Sequence, residues 1–278
     1  MKVAAVRELL ARHGLAPNRE LGQHFLVDED LAGRLVSLAG VEPGDRVIEI
    51  GTGLGALTRA LASRGARVLS LEVDAGLVRL LRAESLLPEG VELVHADALR
   101  FDLAAAARAS ASPVRLVANL PYSISGPFLR RLLSLRALVV DWSLMLQKEV
   151  AARLWAGPGS RDYGSLAVLH RLCAEVTRVL ELPPDCFHPR PAVRSSFVRV
   201  RPGPGPLGSD AELAGVERVV RAAFSRRRKT IANAMAGGCW EPERLAAALD
   251  SAGIEPGERA ERVAPERFLA LTRALGSP

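Results

Sequence analysis

The sequence predicts an α/β fold with a doubly wound, mostly parallel sheet, followed by a small C-terminal α-helical domain. Between residues 45 and 148, short β-branched or apolar runs alternate with segments of helical periodicity. This alternation is typical of a parallel sheet with helices on both faces. Beyond a Pro/Gly-rich stretch at residues 201–210, helical periodicity continues. Such stretches mark domain boundaries, so we expect domains at 1–202, with an N-terminal extension over 1–27, and at 203–278.

The individual elements follow from short apolar runs bounded by turn residues. Strands are predicted at 46–50, 66–73, 91–96, 114–119 and 138–146, with two closing strands at 175–182 and 195–202. Helices are predicted at 54–63, 74–85, 125–135 and about 163–173. Ligands of such sheets bind outside the carboxyl ends of the strands. The motifs of the first domain fall at these ends.

The composition restricts the classes of protein to consider. At 278 residues, with 49% apolar and 24% charged residues, the chain is typical of a globular protein. Its net charge of +6 allows a polyanionic partner. The first residues, MKVAAVRELLARHG, are interrupted by charges and are unlike a signal peptide. No apolar stretch reaches membrane-spanning length. We therefore expect a cytoplasmic protein that does not bind a membrane.

Cysteine and histidine usage predicts neither disulfides nor a metal site. Cys173, Cys186 and Cys239 are far apart in the sequence, and an odd, sparse count is typical of a reducing compartment. The five histidines form no pair at ligand spacing. We expect no metal.

A glycine-rich segment, EIGTGLGA at 49–56, connects the first strand to the following helix. Gly51 and Gly53 allow a tight turn that brings a ligand close to the N-terminus of the helix. Glu49, two residues before the first glycine, is typical of the corresponding motif in methyltransferases. We interpret the segment as a cofactor-binding loop.

Carboxylates follow the next two strands. Glu72 lies near the end of the second strand, 21 residues after Gly51, where it can accept hydrogen bonds from both hydroxyls of a ribose. Asp97 follows the third strand and can accept a hydrogen bond from the amine of a cofactor adenine. The glycine pattern alone also fits a dinucleotide-binding loop. Glu49 and Asp97 favour S-adenosylmethionine instead.

The fourth strand ends in the tetrapeptide Asn119-Leu120-Pro121-Tyr122. The exocyclic amine of a base is a poor nucleophile because its lone pair is delocalised into the ring. Two acceptors, the Asn119 side-chain oxygen and the Leu120 carbonyl, would favour the pyramidal amine that attacks a methyl sulfonium. Pro121 holds Leu120 extended, and Tyr122 offers a stacking face worth about 1–3 kcal/mol. The tetrapeptide predicts methyl transfer to a base amine.

An aromatic residue and a basic run extend this prediction towards a nucleic acid. Phe187 lies in a proline-punctuated loop, and we expect it to stack on the other face of the base. The densest basic run in the chain is Arg226-Arg227-Arg228-Lys229. We expect this run to contact phosphates.

Six ordered segments resemble the ribosomal RNA adenine N6-dimethyltransferases, most closely the small-subunit branch associated with kasugamycin sensitivity. The resemblance covers about residues 18–240. The segments are 21–26 (LGQHFL), 49–56, 119–122, 145–150 (MLQKEV), 187–195 (FHPRPAVRS) and 224–230 (FSRRRKT).

This resemblance implies a Rossmann-like methyltransferase sheet, S-adenosylmethionine as methyl donor, and ribosomal RNA as partner. It implies dimethylation of two adjacent adenines in a hairpin near the 3′ end of small-subunit (16S) rRNA, late in subunit assembly. We expect the chain to act as a monomer. The implied cofactor contacts are His24, Leu26, Gly51, Glu72, Asp97 and Asn119.

Two positions depart from the pattern of this family. Position 24 is usually asparagine, and His24 is still expected to donate a hydrogen bond to the cofactor's carboxylate. Position 52 is usually proline, and Thr52 is expected to leave the loop more flexible without removing its amides.

Three alternatives remain from the sequence. DNA adenine methyltransferases share the chemistry but commonly carry Asp-Pro-Pro-Tyr in place of Asn119–Tyr122. Large-subunit rRNA methyltransferases that confer antibiotic resistance are closer, and the run at 147–150 favours the small-subunit branch over them. The third alternative is an assembly factor that binds immature subunits without catalysis.

Overall fold

A seven-stranded sheet is the main feature of the computed structural model, which describes residues 1–121, 123–203, 207, 209–226 and 228–276. Its strands are β2 (Arg46–Ile50), β3 (Arg67–Glu72), β4 (Glu92–His95), β5 (Val114–Asn119), β6 (Asp141–Gln147), β7 (Ala174–Leu182) and β9 (Ser195–Pro202). Their order is β4-β3-β2-β5-β6-β9-β7. The first five in chain order are parallel, and β9 is antiparallel to β6. The predicted fold class is confirmed.

Helices connect the strands and form the C-terminal region. Up to β6 they are α1 (Val3–Arg12), α2 (Glu29–Leu38), α3 (Ala56–Ser63), α4 (Ala75–Ala83), α5 (Leu103–Arg108) and α6 (Ser125–Leu133). They are followed by α7 (Lys148–Trp155), α8 (Ser165–Cys173), α9 (Asp210–Ala223), α10 (Ile231–Met235), α11 (Pro242–Ser251) and α12 (Pro265–Leu275). In the described part of the chain, no helix combines the length and the apolar character needed to cross a membrane.

The chain divides into two compact units. Unit 1 comprises residues 1–150 and 177–201, and unit 2 comprises residues 151–176 and 202–278. The Tyr163 hydroxyl donates a 2.7 Å hydrogen bond to the Val263 carbonyl, and its ring packs edge-on against Phe224. These contacts show why residues 151–176 belong with the C-terminal helices. The simple division after residue 202 remains a prediction.

The order of the strands places the carboxyl ends of β2 and β5 side by side. From β2 the chain proceeds outward through β3 to β4, and then returns to form β5 on the other side of β2. Ile50 pairs with Ala118 at this junction. A sheet that reverses its winding direction opens a crevice at such a point. The glycine-rich loop and the segment after Asn119 both leave the sheet there.

A two-stranded ladder lies outside the main sheet and was not predicted. Residues Phe25–Leu26 form β1 and pair antiparallel with β8 (Phe187–His188). Next to it, α1 packs through Val6 and Leu9 in one buried cluster with Leu77 and Leu80 of α4. The N-terminal extension is therefore an integral part of unit 1.

Element ends differ from the predictions for local reasons. Helix α4 begins one residue after the predicted start because Asp74 is its N-cap, accepting hydrogen bonds from the Gly76 and Leu77 amides. The strand predicted at 138–146 begins at Asp141, because Leu138 still donates its amide to the Leu135 carbonyl in the turn after α6. The apolar run alone did not separate turn from strand.

A charged cluster stabilises the amino ends of β5 and β6. The Asp141 carboxylate, 1% exposed, is contacted by guanidinium groups of Arg115 and Arg199. Arg115 also donates from Nε to Asp45, at 2.7 Å. Because both arginine side chains are largely buried, neither can recover full hydration if the carboxylate is lost.

We therefore expect Asp141→Ala to lower the free energy of unfolding by about 3–5 kcal/mol, the usual cost of removing one partner of a buried ion pair. Glu92→Ala is the control, because Glu92 forms an exposed pair with Arg46, and such pairs contribute about 0–1 kcal/mol. Chemical denaturation of both variants measures the difference. Equal, small losses would contradict the assignment.

Candidate cofactor and acceptor site

A cavity opens at the carboxyl ends of β2, β3 and β5 in unit 1. It brings together residues from the N-terminal extension, the glycine-rich loop, two strand ends, the tetrapeptide at 119–122, which we call the acceptor motif, and β8. The residues marked by the sequence that line it are His24, Gly51, Gly53, Glu72, Asp97, Asn119, Leu120, Pro121 and Phe187.

The glycine-rich loop turns tightly against the acceptor motif. Gly51 has φ +81°, and a Cβ atom there would lie 3.3 Å from the Asn119 carbonyl oxygen. Gly53 has φ +57°, and a Cβ atom there would lie 3.3 Å from the Phe25 ring. Both positions combine a left-handed backbone with close neighbours, which favours glycine. The loop therefore brings its main chain to the wall of the cavity.

Glu72 is held by the backbone around it. Its Oε2 accepts the Gly53 amide at 2.9 Å, and its Oε1 accepts the Asp74 amide at 3.0 Å. Burial raises the pKa of this carboxyl, and the two backbone hydrogen bonds counteract that rise. Each carboxylate oxygen can accept a further hydrogen bond. Glu72 thus lines the cavity with an oriented acceptor pair that suits a vicinal diol.

Asp97 combines a structural and a ligand-facing position. Its Oδ1 accepts the Leu99 amide at 2.8 Å, which stabilises the turn after β4. Its Oδ2 lies 3.7 Å from Arg100 Nε, and 40% of the Asp97 side chain is exposed. The side chain lines the cavity next to the apolar residues Ala98 and Leu99. A flat ring with an amine donor fits this combination.

Asn119 has a defined side-chain orientation. Its Nδ2 donates to the main-chain carbonyl of His24 at 3.0 Å. The adjacent Leu120 amide donates to the Met145 carbonyl of β6 at 3.3 Å, which continues the strand pairing past the end of β5. The Pro121 carbonyl accepts the Ser125 hydroxyl at 3.1 Å at the start of α6. The acceptor motif is thus supported on three sides.

His24 connects the acceptor motif to the loop that carries Phe187. Its ring Nδ1 lies 2.6 Å from the Pro189 carbonyl oxygen. Its main-chain carbonyl accepts the hydrogen bond from the Asn119 side-chain amide. The β1–β8 ladder adds pairing of Leu26 with Phe187. Phe187 is almost fully buried and also lines the cavity.

Two residues predicted to bind the cofactor lie behind the cavity wall. Leu26 is buried in a core cluster with Phe187, Val117 and Phe197. Glu49 is completely buried, and its Oε2 accepts hydrogen bonds from Thr58 and Ser70, both at 2.6 Å. Both residues support the site from within the core, and a direct ligand contact for either remains a prediction.

Some predicted residues are placed elsewhere or lie outside the described residues. Tyr122 and Arg227 belong to the part of the chain that is not described. Arg226, Arg228 and Lys229 are exposed in unit 2, between α9 and α10.

Several residues that line the cavity were not predicted from the sequence to have a role in the site. Gln23 donates from Nε2 to Asp74 at 2.8 Å and accepts the Asn18 main-chain amide at 2.8 Å, which connects the N-terminal segment to the start of α4. Ser123 and Ile124 follow the acceptor motif directly. Gln23 could have been predicted, because it lies in LGQHFL, one of the six segments that carry the family resemblance. The apolar wall residues carry no local signal.

The donor set of this cavity fits S-adenosylmethionine. These residues match the parts of a nucleoside. Glu72 is a buried carboxylate suited to the ribose hydroxyls, and Asp97 lies beside an apolar slot that suits the base. The glycine-rich loop brings its main chain to the same cavity. Within the described ranges, no three His, Cys, Asp or Glu side chains are placed to hold a metal ion.

Comparison with known proteins agrees with this geometry. The family described as ribosomal RNA adenine dimethylase matches residues 14–276. The chain belongs to this family. The sequence resemblance is therefore confirmed, and the chain is an rRNA adenine dimethyltransferase.

Individual relatives share nearly the whole length of the chain. Ribosomal RNA small subunit methyltransferase A of Magnetococcus marinus is 42% identical over 96% of this chain and 94% of the relative. The protein of the same name from Myxococcus xanthus is 41% identical over 97% and 95%. The crystal structure of the 23S rRNA methyltransferase ErmE is 30% identical, with a TM-score of 0.62 over 90% of this chain and 99% of that one.

A more distant solved structure supports the fold. A dimethyladenosine transferase from Plasmodium falciparum is 24% identical, with a TM-score of 0.73 over 89% of this chain and 96% of that one. The shared architecture confirms the Rossmann-like methyltransferase sheet and the C-terminal helical region.

The buried Glu49 leads to a prediction about pH. Burial raises the pKa of Glu49 from an ordinary 4.5 to about 7, so the folded chain binds this proton more tightly than the unfolded chain does. The resulting stabilisation is present below about pH 4.5 and is lost as the pH rises through about 7.

Glu49→Gln carries a permanently neutral group in the same place, so we expect the stability of the wild-type chain relative to this variant to fall by about 1–3 kcal/mol between pH 4.5 and pH 7.5. Denaturation of both proteins across this range measures the difference. A difference that does not change with pH would contradict the shifted pKa.

Proposed function

We propose that the chain transfers methyl groups from S-adenosylmethionine to the N6 amines of two adjacent adenines near the 3′ end of small-subunit (16S) rRNA. The observation that carries the proposal is the Asn119 side chain, which lines the cofactor cavity with its amide nitrogen bound to His24. The identity of over 40% to curated small-subunit methyltransferases supports the choice of RNA. The reaction takes place in the cytoplasm during subunit assembly, and the chain acts as a monomer.

The chain's own groups align the amine for attack. When bound, S-adenosylmethionine supplies an electrophilic methyl group. The Asn119 Oδ1 and the Leu120 carbonyl accept the two hydrogens of the adenine amine, which localises its lone pair. Such alignment contributes on the order of 7–11 kcal/mol to lowering a barrier. The methylated amine is acidic and loses its proton to water, so no strong base is needed.

The base must leave its stack to reach this position. Extruding a base costs a few kcal/mol, and aromatic stacking returns about 1–3 kcal/mol. Phe187 supplies one aromatic face, and we assign the second to Tyr122, which lies outside the described residues. His24, Gly51, Gly53, Glu72 and Asp97 bind the cofactor.

We expect Asn119→Ala to lower kcat for dimethylation by on the order of 10²-fold, as is usual when one polar group directed at the reacting atoms is lost. The assay uses labelled S-adenosylmethionine and unmethylated small ribosomal subunits, followed by nucleoside analysis. Asn233→Ala, at an exposed position of α10, is the matched control. Dimethyladenosine formed by Asn119→Ala at the wild-type rate would show that Asn119 is not catalytic.

The exposed basic run of unit 2 should contribute to RNA affinity. Replacing Arg226, Arg228 and Lys229 by alanine removes three charges that we assign to phosphate contacts. We expect weaker binding of the small subunit, and a salt dependence reduced by about 0.7–0.9 in log–log slope for each lost contact. Cofactor affinity should not change. RNA binding equal to that of the wild type would refute this role.

A further inference from the structure

Three cations of unit 1 converge on a single carboxylate. Glu181 lies 3.3 Å from Lys148 Nζ, 2.9 Å from Arg178 Nη1 and 3.9 Å from Arg194 Nε. The three cationic side chains are 48%, 55% and 58% exposed. We call these four residues the Glu181 cluster. Three cations and one carboxylate give the cluster a net charge of +2. Glu181 therefore holds the cations close together but does not neutralise them.

The cluster lies at the edge of the sheet that carries the reaction. Met145 of β6 pairs with Asn119, and Lys148 follows three residues later, about 10 Å further along at the usual rise per residue. The Lys148 amide donates a 3.0 Å hydrogen bond to the Arg194 carbonyl. Arg194 ends the loop that begins at Phe187. The cluster is therefore continuous with both the acceptor motif and the Phe187 loop.

We propose that the Glu181 cluster binds the phosphate backbone of the RNA next to the target adenine, which rests on the proposed function. Guanidinium groups offer paired donors to a phosphate, and an ammonium adds a point charge. Phosphate contacts fix the register of a nucleic acid on a protein. The backbone on either side of an extruded base needs such a contact, because the base no longer stacks on its neighbours in the RNA.

A purely protective role would explain part of the pattern. β7 is the last strand in the sheet order, and charged residues on edge strands prevent unwanted strand pairing. That role requires charges on β7, where Arg178 and Glu181 lie. It does not account for Lys148 and Arg194, which come from other elements and add charge of one sign. These two residues are therefore the ones to test.

The test compares three double variants with the wild-type chain. Lys148→Ala with Arg194→Ala removes two charges of the cluster. Arg67→Ala with Arg108→Ala removes two exposed charges near the amino ends of β3 and β5, whereas the cavity opens at the carboxyl ends of these strands. The KM for unmethylated small ribosomal subunits, its salt dependence, kcat and the affinity for S-adenosylmethionine are measured for each. Lys148→Arg with Arg194→Lys retains the charge.

The cluster variant should raise KM roughly tenfold and reduce the salt slope by about 1.4–1.8, corresponding to two lost phosphate contacts. Its cofactor affinity should equal that of the wild type. The charge-retaining variant should keep the salt slope, and the control should match the wild type. A cluster variant whose KM and salt slope equal those of the control would overturn the proposal. If the wild-type chain forms no dimethyladenosine in small subunits, the proposed function itself is wrong.

Discussion

The hydrogen bond from Asn119 Nδ2 to the His24 carbonyl decides which atoms of the acceptor motif face the cavity. A carbonyl oxygen can only accept, so the nitrogen end of the Asn119 amide must point towards it. The oxygen end is left for the cavity that Asn119 lines. An amine substrate needs acceptors and not donors. In the proposed function, one backbone carbonyl from another part of the chain therefore orients the Asn119 oxygen as an acceptor for the substrate amine.

That carbonyl is useful only if the N-terminal segment is held in place. His24 precedes the β1–β8 ladder, and its ring contacts the Pro189 carbonyl. Gln23 is bound to Asp74, the N-cap of α4. The segment is thus connected both to the Phe187 loop and to the cofactor side of the sheet. In the proposed function, cofactor binding and base binding share this support, which suits a reaction whose two substrates must meet in line.

The sequence predicted the sheet and the polar residues at its strand ends because both follow from short-range patterns. Hydrophobic runs mark strands, and parallel topology gathers their carboxyl ends. The ladder of Phe25–Leu26 with Phe187–His188 was not predictable, since two-residue strands have no periodicity. The membership of residues 151–176 in unit 2 depends on contacts such as the one from Tyr163 to Val263, 100 residues away. Glu49 shows a further limit: a motif reveals a carboxylate, but not whether it faces a ligand or the core.

Position 52 carries threonine where the family usually has proline, and the hydrogen bonds around the buried Glu49 explain how threonine is accommodated. Thr52 is buried, and its hydroxyl lies 2.6 Å from the Ser70 hydroxyl. The single hydroxyl hydrogen of Ser70 is donated to Glu49, so Ser70 must accept from Thr52. A proline would restrict the loop through its ring, whereas threonine restricts it by a hydrogen bond to β3. We expected a more flexible loop at this position, but Thr52 links it to β3 and, through Glu49, to Thr58 of α3. The cofactor loop is therefore held by side chains beneath it, and its Gly53 amide donates to Glu72, which lines the cavity.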